Sequence, residues 1–224
     1  MRLAVLLLAS SAAAWGHTAI TTPITYTKEI SRLIGKRCLS CHQADKSVPL
    51  ATYEDARAWA VAIREQVQTR AMPPWDAARG FGHFRDNRSL TQPEIDLFVQ
   101  WVEGGTPQGD PAFLPHFHAA KPAATPAFGG GFYVRYERRV RVPMPLAAIR
   151  AEEAPEGASI QVTALLPDGR VEPLLWIPSF RKRWNRVYVF REPIILPPKS
   201  SIQVHGPPGT LISGWLVPEP RKKP

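Results

Sequence analysis

The spacing of apolar residues changes once along this chain, near its middle. Up to residue 106 they recur at intervals of three and four, and three helices are predicted. The first covers residues 28–39, with Ile30, Leu33 and Ile34 on one face. The second covers 53–70. Thr52 is its N-cap, Glu54 and Asp55 lie in the first turn, and Ala56, Ala60, Ile63 and Val67 form the stripe. The third covers Gln92–Glu103. Thr91 and Glu94 make a capping box, Pro93 suits the first turn, and Gly104-Gly105 ends the helix. Ile95, Phe98, Val99 and Val102 face inward. Beyond residue 127 the period shortens to two. Strands are predicted at 132–142, 159–166, 171–176, 186–190, Ser201–His205 and 210–216. Pro167-Asp168-Gly169 is a hairpin turn between two of them.

The expected architecture is two domains, an all-α one followed by an all-β, sandwich-like one. The helical domain spans residues 22–110 and the β-rich domain 128–220, joined by a Pro/Ala-rich linker over 111–127. Trp176, Trp184, Tyr188, Phe190 and Trp215 are the expected aromatic core of the β domain. Residues 1–16, MRLAVLLLASSAAAWG, read as a secretory signal peptide: one Arg, a short apolar run, then small residues. The mature chain is thus expected outside the cytoplasm, in the periplasm, and no second apolar stretch is long enough to span a membrane.

Net charge is +9 and lies almost wholly in the second half. Residues 1–114 hold 12 Lys and Arg against 11 acids, whereas residues 115–224 hold 16 against 8. Such a face suits an acidic redox partner or an anionic membrane surface, and export argues against nucleic acid.

Only two cysteines are present, too few and too close for the disulfide framework of a secreted domain. They stand in Cys38-Leu39-Ser40-Cys41-His42, the attachment pattern for one haem c. Two thiols separated by two residues can add to two vinyl groups on a porphyrin and form thioethers. His42 then supplies the proximal nitrogen to the iron. A redox Cys-x-x-Cys would need a βαβ setting, and a zinc site would need further ligands at finger or ribbon spacing. Met72 is the leading candidate for the sixth ligand. It lies in Arg70-Ala-Met-Pro-Pro-Trp75, where consecutive prolines stiffen the loop. Trp75 is expected to cover the haem edge and offer its indole N–H to a propionate. His83, His17, His116, His118 and His205 are the competing ligands.

The stretches RCLSCHQ, LATYEDARAWA, RAMPPW, GFGHFRDNRSLTQPEI and WVEGGTPQGDP, from about Thr25 to Asp110, narrow the reading. They resemble the monohaem cytochrome c domain found fused in bacteria to copper type II, ascorbate-dependent monooxygenase-like domains. The resemblance implies His42 and Met72 as axial ligands. TALLPDGRVEPLLWIPSF and RWNRVYVFREPIILPPKSS also resemble a truncated piece of that monooxygenase domain. Its copper-binding His-x-His is replaced here by Glu152-Glu153-Ala-Pro-Glu156-Gly157. His116-Phe117-His118 lies instead in the linker without an obvious third ligand, and Met144 has no copper-binding company.

The expected function is therefore one-electron transfer by a c-type cytochrome rather than enzymatic catalysis, with the β domain docking or positioning it. The alternative is a haem-linked copper monooxygenase-like enzyme, or a remnant of one.

Overall fold

The structure is a computed structural model and describes residues 22–116, 127–136, 138–141 and 145–218. The expected signal peptide, His17, His118, Met144 and most of the expected linker lie outside the described residues.

Thr25 caps a π-helical turn, Tyr26–Ile30, that runs directly into α1, Ser31–Arg37. The single helix expected over 53–70 is two, α2 (Tyr53–Ala58) and α3 (Ala60–Gln68). The break is at Trp59, whose backbone sits at φ −99°, ψ 6°, in the bridge region. Asp55 completes a capping box with Thr52 at the start of α2. The last helix, α4 (Gln92–Glu103), begins with the Thr91–Glu94 capping box as expected. Ile30, Ile34, Leu50, Ala56, Val67, Ile95, Phe98 and Trp101 share one core. The chain leaving α4 returns to the first turn, where the amides of Tyr26 and Thr27 donate to the carbonyls of Pro107 and Gln108.

Among the described residues the second half holds eight strands: β1 (Gly131–Arg135), β2 (Arg139–Arg141), β3 (Leu146–Glu153), β4 (Ile160–Leu165), β5 (Val171–Ile177), β6 (Tyr188–Ile194), β7 (Ser201–His205) and β8 (Leu211–Leu216). They form two antiparallel four-stranded sheets, ordered β1-β8-β3-β6 and β2-β7-β4-β5. The run expected as one strand over 132–142 is split, β1 joining one sheet and β2 the other. Strand β3 was not expected. It is an inner strand, hydrogen-bonded to both β6 and β8. Of the expected aromatic core, Tyr188 and Phe190 are 1% exposed, whereas Trp176, Trp184 and Trp215 are half-buried at its margins.

The expected pairing of an all-α domain with an all-β one is corrected. Among the described residues only four short α-helices occur; helical turns of every kind make up 25% of those residues, beside about 26% strand in two antiparallel sheets, so the first half is not an all-α cytochrome domain. The physical cause lies between α3 and α4. Pro73 and Pro74 cannot continue a helix, and Gly80 and Gly82 take positive φ of 85° and 76°. The segment they shape is drawn into the β half instead. Trp75, Ala77 and Phe84 belong to the core shared by the two sheets.

That segment also covers two sheet edges. Strands β5 and β6 are each an edge of their sheet. Ala78 N–H donates to the Trp176 carbonyl of β5 at 2.7 Å. Phe84 makes an antiparallel bridge to Phe190 of β6, flanked by Arg85 N–H to Val189 O at 2.9 Å and Arg191 N–H to His83 O at 2.7 Å. A Cβ on Gly82 would collide with the Leu174 carbonyl oxygen, so glycine serves here for both its φ and its lack of a side chain.

Among the described residues, no helix is long and apolar enough to cross a membrane.

Phe98 is fully buried at the centre of the helical core. Phe98→Ala is expected to cost about 3–5 kcal/mol of folding stability, read by urea denaturation. A cost under ~1 kcal/mol would mean that α4 does not close this core.

Candidate functional site

Helix α1 ends where the cysteine motif begins. Cys38 N–H still donates to Ile34 O at 2.8 Å, and the N–H groups of Cys41 and His42 both return to Cys38 O at 3.0 Å. The motif is thus a tight turn wound on the end of α1. Arg37, just before it, grips Glu94 of α4 through two nitrogens and donates to Asn87 O at 3.1 Å. Burial works to raise the Glu94 carboxyl, but the Thr91 amide and Arg37 outweigh it and hold the group below its ordinary value. The turn is therefore fixed both to its own helix and to α4.

His42 has one nitrogen committed. Its Nδ1 lies 2.8 Å from the Val48 carbonyl oxygen. A carbonyl can only accept, so Nδ1 carries a proton, and in the neutral ring Nε2 is the nitrogen left with a lone pair. Leu50 N–H in turn donates to His42 O at 3.1 Å, closing the 42–50 loop on the imidazole.

Both cysteines, His42 and Met72 line one cavity of about 330 Å³, whose wall is otherwise mostly apolar, from Val48, Leu50, Trp59, Ile63, Val67, Pro73 and Pro74, with Arg37, Gln66 and Arg88 also on it. This explains two side chains that would otherwise be out of place. Trp59 at 38% and Met72 at 39% are among the exposed large hydrophobics, and both border this cavity. Cys38 is a free thiol whose pKa is pushed up to about 12 by burial, so it stays protonated at neutral pH. Cys41 is free and exposed, with an Arg88 nitrogen 3.9 Å from its sulfur.

Sequence reasoning classed the chain as a metal-binding haem protein, and the structure corrects this as far as the chain's own donors go. Among the described residues no group of three or more His, Cys, Asp or Glu could hold a metal ion. One imidazole, one thioether and two free thiols do not make an ion cage, and Cys38 and Cys41 do not by themselves amount to a haem or metal site.

The remaining candidates stand elsewhere. Trp75 does not line the cysteine cavity. It is 7% exposed, edge-on to Tyr188 with centroids 5.2 Å apart, and its Nε1 is buried without a hydrogen-bond partner. Its large apolar ring has been taken up by the aromatic cluster of Phe84, Tyr188 and Phe190. His83 lies beside β6, His116 is exposed after the last helical turn, and His205 Nε2 is 3.3 Å from Thr163 Oγ1.

Met72 and Pro73 also wall a second cavity of about 470 Å³, which includes Trp75, Asp76, Arg79, Arg181 and Trp184. Asp76 in this lining and Arg186 beside it went unremarked in the sequence, and Tyr188 was read only as core. Tyr188 Oη donates to Asp76 Oδ1, and Arg186 Nη2 donates to the Pro74 carbonyl at 2.6 Å. The Arg186 guanidinium also sits over the Trp75 ring, 5.3 Å from its centroid. Their signal in the sequence is slight: an acid directly after Pro-Pro-Trp, and an Arg inside a basic run that reads as surface. Burial lowers the Arg186 pKa, Arg88 adds to this by repulsion, and Asp76 and Cys41 oppose it.

Comparison with protein-family models, with curated proteins and with solved structures gives no match.

Burial raises the Asp76 carboxyl to about 6, against opposition from its own amide, the Arg186 charge and the Arg181 amide and charge. None of these makes a close hydrogen bond to Oδ2. The folded state therefore disfavours the carboxylate. The group's contribution to stability is full below about pH 4 and is lost as pH rises through about 6. Asp76→Asn should remove that loss, a relative gain on the order of 2 kcal/mol at pH 7 over pH 4 in paired urea titrations. Parallel pH profiles for the two proteins would show that Asp76 does not titrate this way.

Proposed function

We propose that this chain is a c-type cytochrome: a one-electron carrier with a single haem attached at Cys38 and Cys41 and held axially by His42 and Met72. The observation that carries the proposal is the cysteine cavity. Two thiols, an imidazole with a free nitrogen and a thioether face one apolar space of about 330 Å³, within the ordinary size range of a cofactor site. A porphyrin brings four nitrogens of its own, so the chain need supply only the two axial donors, and the scarcity of clustered ligands is no obstacle. When bound, such a group supplies a reversible one-electron couple.

Each residue has a separate task in this reading. The turn after α1 presents Cys38 and Cys41 as the covalent attachment points. The Val48 carbonyl fixes the imidazole and its tautomer, raising the donor strength of Nε2. Met72 offers a soft donor from a stretch stiffened by two prolines. Leu50, Ile63, Val67 and Trp59 exclude water from the cavity and keep its surroundings apolar. Two permanent axial donors leave no position for substrate, which favours electron carriage over oxygen or peroxide chemistry. Arg88 and Arg186 place positive charge near Cys41, in keeping with an acidic redox partner. The resemblance to the cytochrome c domains fused to monooxygenase-like proteins agrees with this reading, as does the export expected from residues 1–16.

The test is made on the protein produced with a haem-attachment system. The denatured wild-type polypeptide should carry the mass of one haem, and the Cys38→Ala, Cys41→Ala double variant should carry none. Met72→Ala should keep the mass and lose the methionine–iron charge-transfer band of the oxidised protein. A wild-type polypeptide without haem mass overturns the proposal.

A further inference from the structure

We infer that the β-sandwich positions the methionine ligand: Arg186 and Tyr188 grip Pro74 and Asp76, and so set where the Met72 thioether stands opposite His42. The inference rests on the cytochrome reading and gives the β half a task within it.

Met72 lies between two anchors. Behind it, the amides of Ala71 and Met72 both donate to the Gln66 carbonyl, at 2.9 and 3.1 Å, tying the residue to the end of α3. Ahead of it the grip comes from the sandwich. Arg186 donates to Pro74 O at 2.6 Å, Tyr188 donates to Asp76, and Ala78 donates to Trp176 O at 2.7 Å. These contacts hold the chain at residues 74, 76 and 78 in turn.

The Arg186 contact has the features of a positioning device. Proline nitrogens cannot donate, so Pro73 and Pro74 hold the chain through their carbonyls alone. A guanidinium donating to Pro74 O replaces what ordinary backbone pairing would do. Arg186 is half-buried, and burial lowers its pKa, so keeping it charged there has a cost. The cost is offset by the Trp75 ring beneath it and by Asp76 beside it. A residue that only solubilised the surface would not be held in this way. Met72 itself presents its side chain to the cavity and is not packed in a core. Packing around the side chain therefore does little to fix it, and the backbone on either side does most of the holding.

The experiment uses the full haem-loaded chain and compares wild type with Arg186→Ala, Arg186→Lys and Tyr188→Phe. Three quantities are read: haem mass on the denatured polypeptide, the methionine–iron charge-transfer band, and the reduction potential. All variants should keep one haem. Arg186→Ala should lose half or more of the band and shift the potential downward, Arg186→Lys should restore most of both, and Tyr188→Phe should weaken the band less. Should Arg186→Ala fail to fold, Tyr188→Phe decides alone, since it removes a single hydroxyl. A full band and an unchanged potential in the folded variants would overturn the positioning role while leaving the cytochrome reading intact. Loss of haem mass from wild type would strike at that reading instead. Wild type with haem but no band would overturn the positioning role, because Met72 would then not be the ligand.

Discussion

The structure depends on one act of packing: Trp75 and Phe84, which come from the helical half of the sequence, lie inside the core of the β half. Trp75 is edge-on to Tyr188, and Phe84 packs against both Tyr188 and Phe190. Burying two such rings is worth several kcal/mol by area alone, on the order of 2–3 kcal/mol each. The segment between α3 and α4 must accordingly follow the sandwich. The backbone bonds of Ala78, His83 and Arg85, the two glycines and the Asp76–Tyr188 contact are consequences of that commitment.

The cysteine motif is held differently. It is wound on α1, latched to α4 by Arg37 and Glu94, and its imidazole is fixed by the Val48 carbonyl. One side of the cavity is thus built from local helical contacts. The Met72 side is built from long-range contacts to strands more than a hundred residues away. The two walls draw their rigidity from separate cores.

How much of this could be read from the sequence follows from how local each feature is. The capping box at Thr91 and Glu94 is decided within four residues, and α4 has the expected bounds. The cysteine motif is equally local, and the structure places Cys38, Cys41 and His42 along one cavity. Strand β3 escaped because LAAIRAEE alternates poorly and favours helix by propensity; only neighbours on both sides make it a strand. Trp75 was assigned to the haem edge because its sequence neighbours are Met72 and the prolines. Its spatial neighbours are strands on the far side of the chain, and nothing near it in sequence announces them. The stretch around Gly80 and Gly82 is likewise set from afar: the Leu174 carbonyl leaves no room for a side chain at 82, and Phe84 bridges to Phe190.

The covering of β5 and β6 bears on what can be separated from what. Strands at the rim of a sheet expose unpaired amides and carbonyls, and such rims recruit other chains unless something blocks them. Here the block is supplied by residues 78–85, which belong by sequence to the other half. Cutting the chain in the stretch after residue 110 would leave a β fragment with two sticky borders and a hole where Trp75 and Phe84 had been. The transferable unit, for a genome shuffling domains or a laboratory grafting them, is therefore the whole chain and not either half.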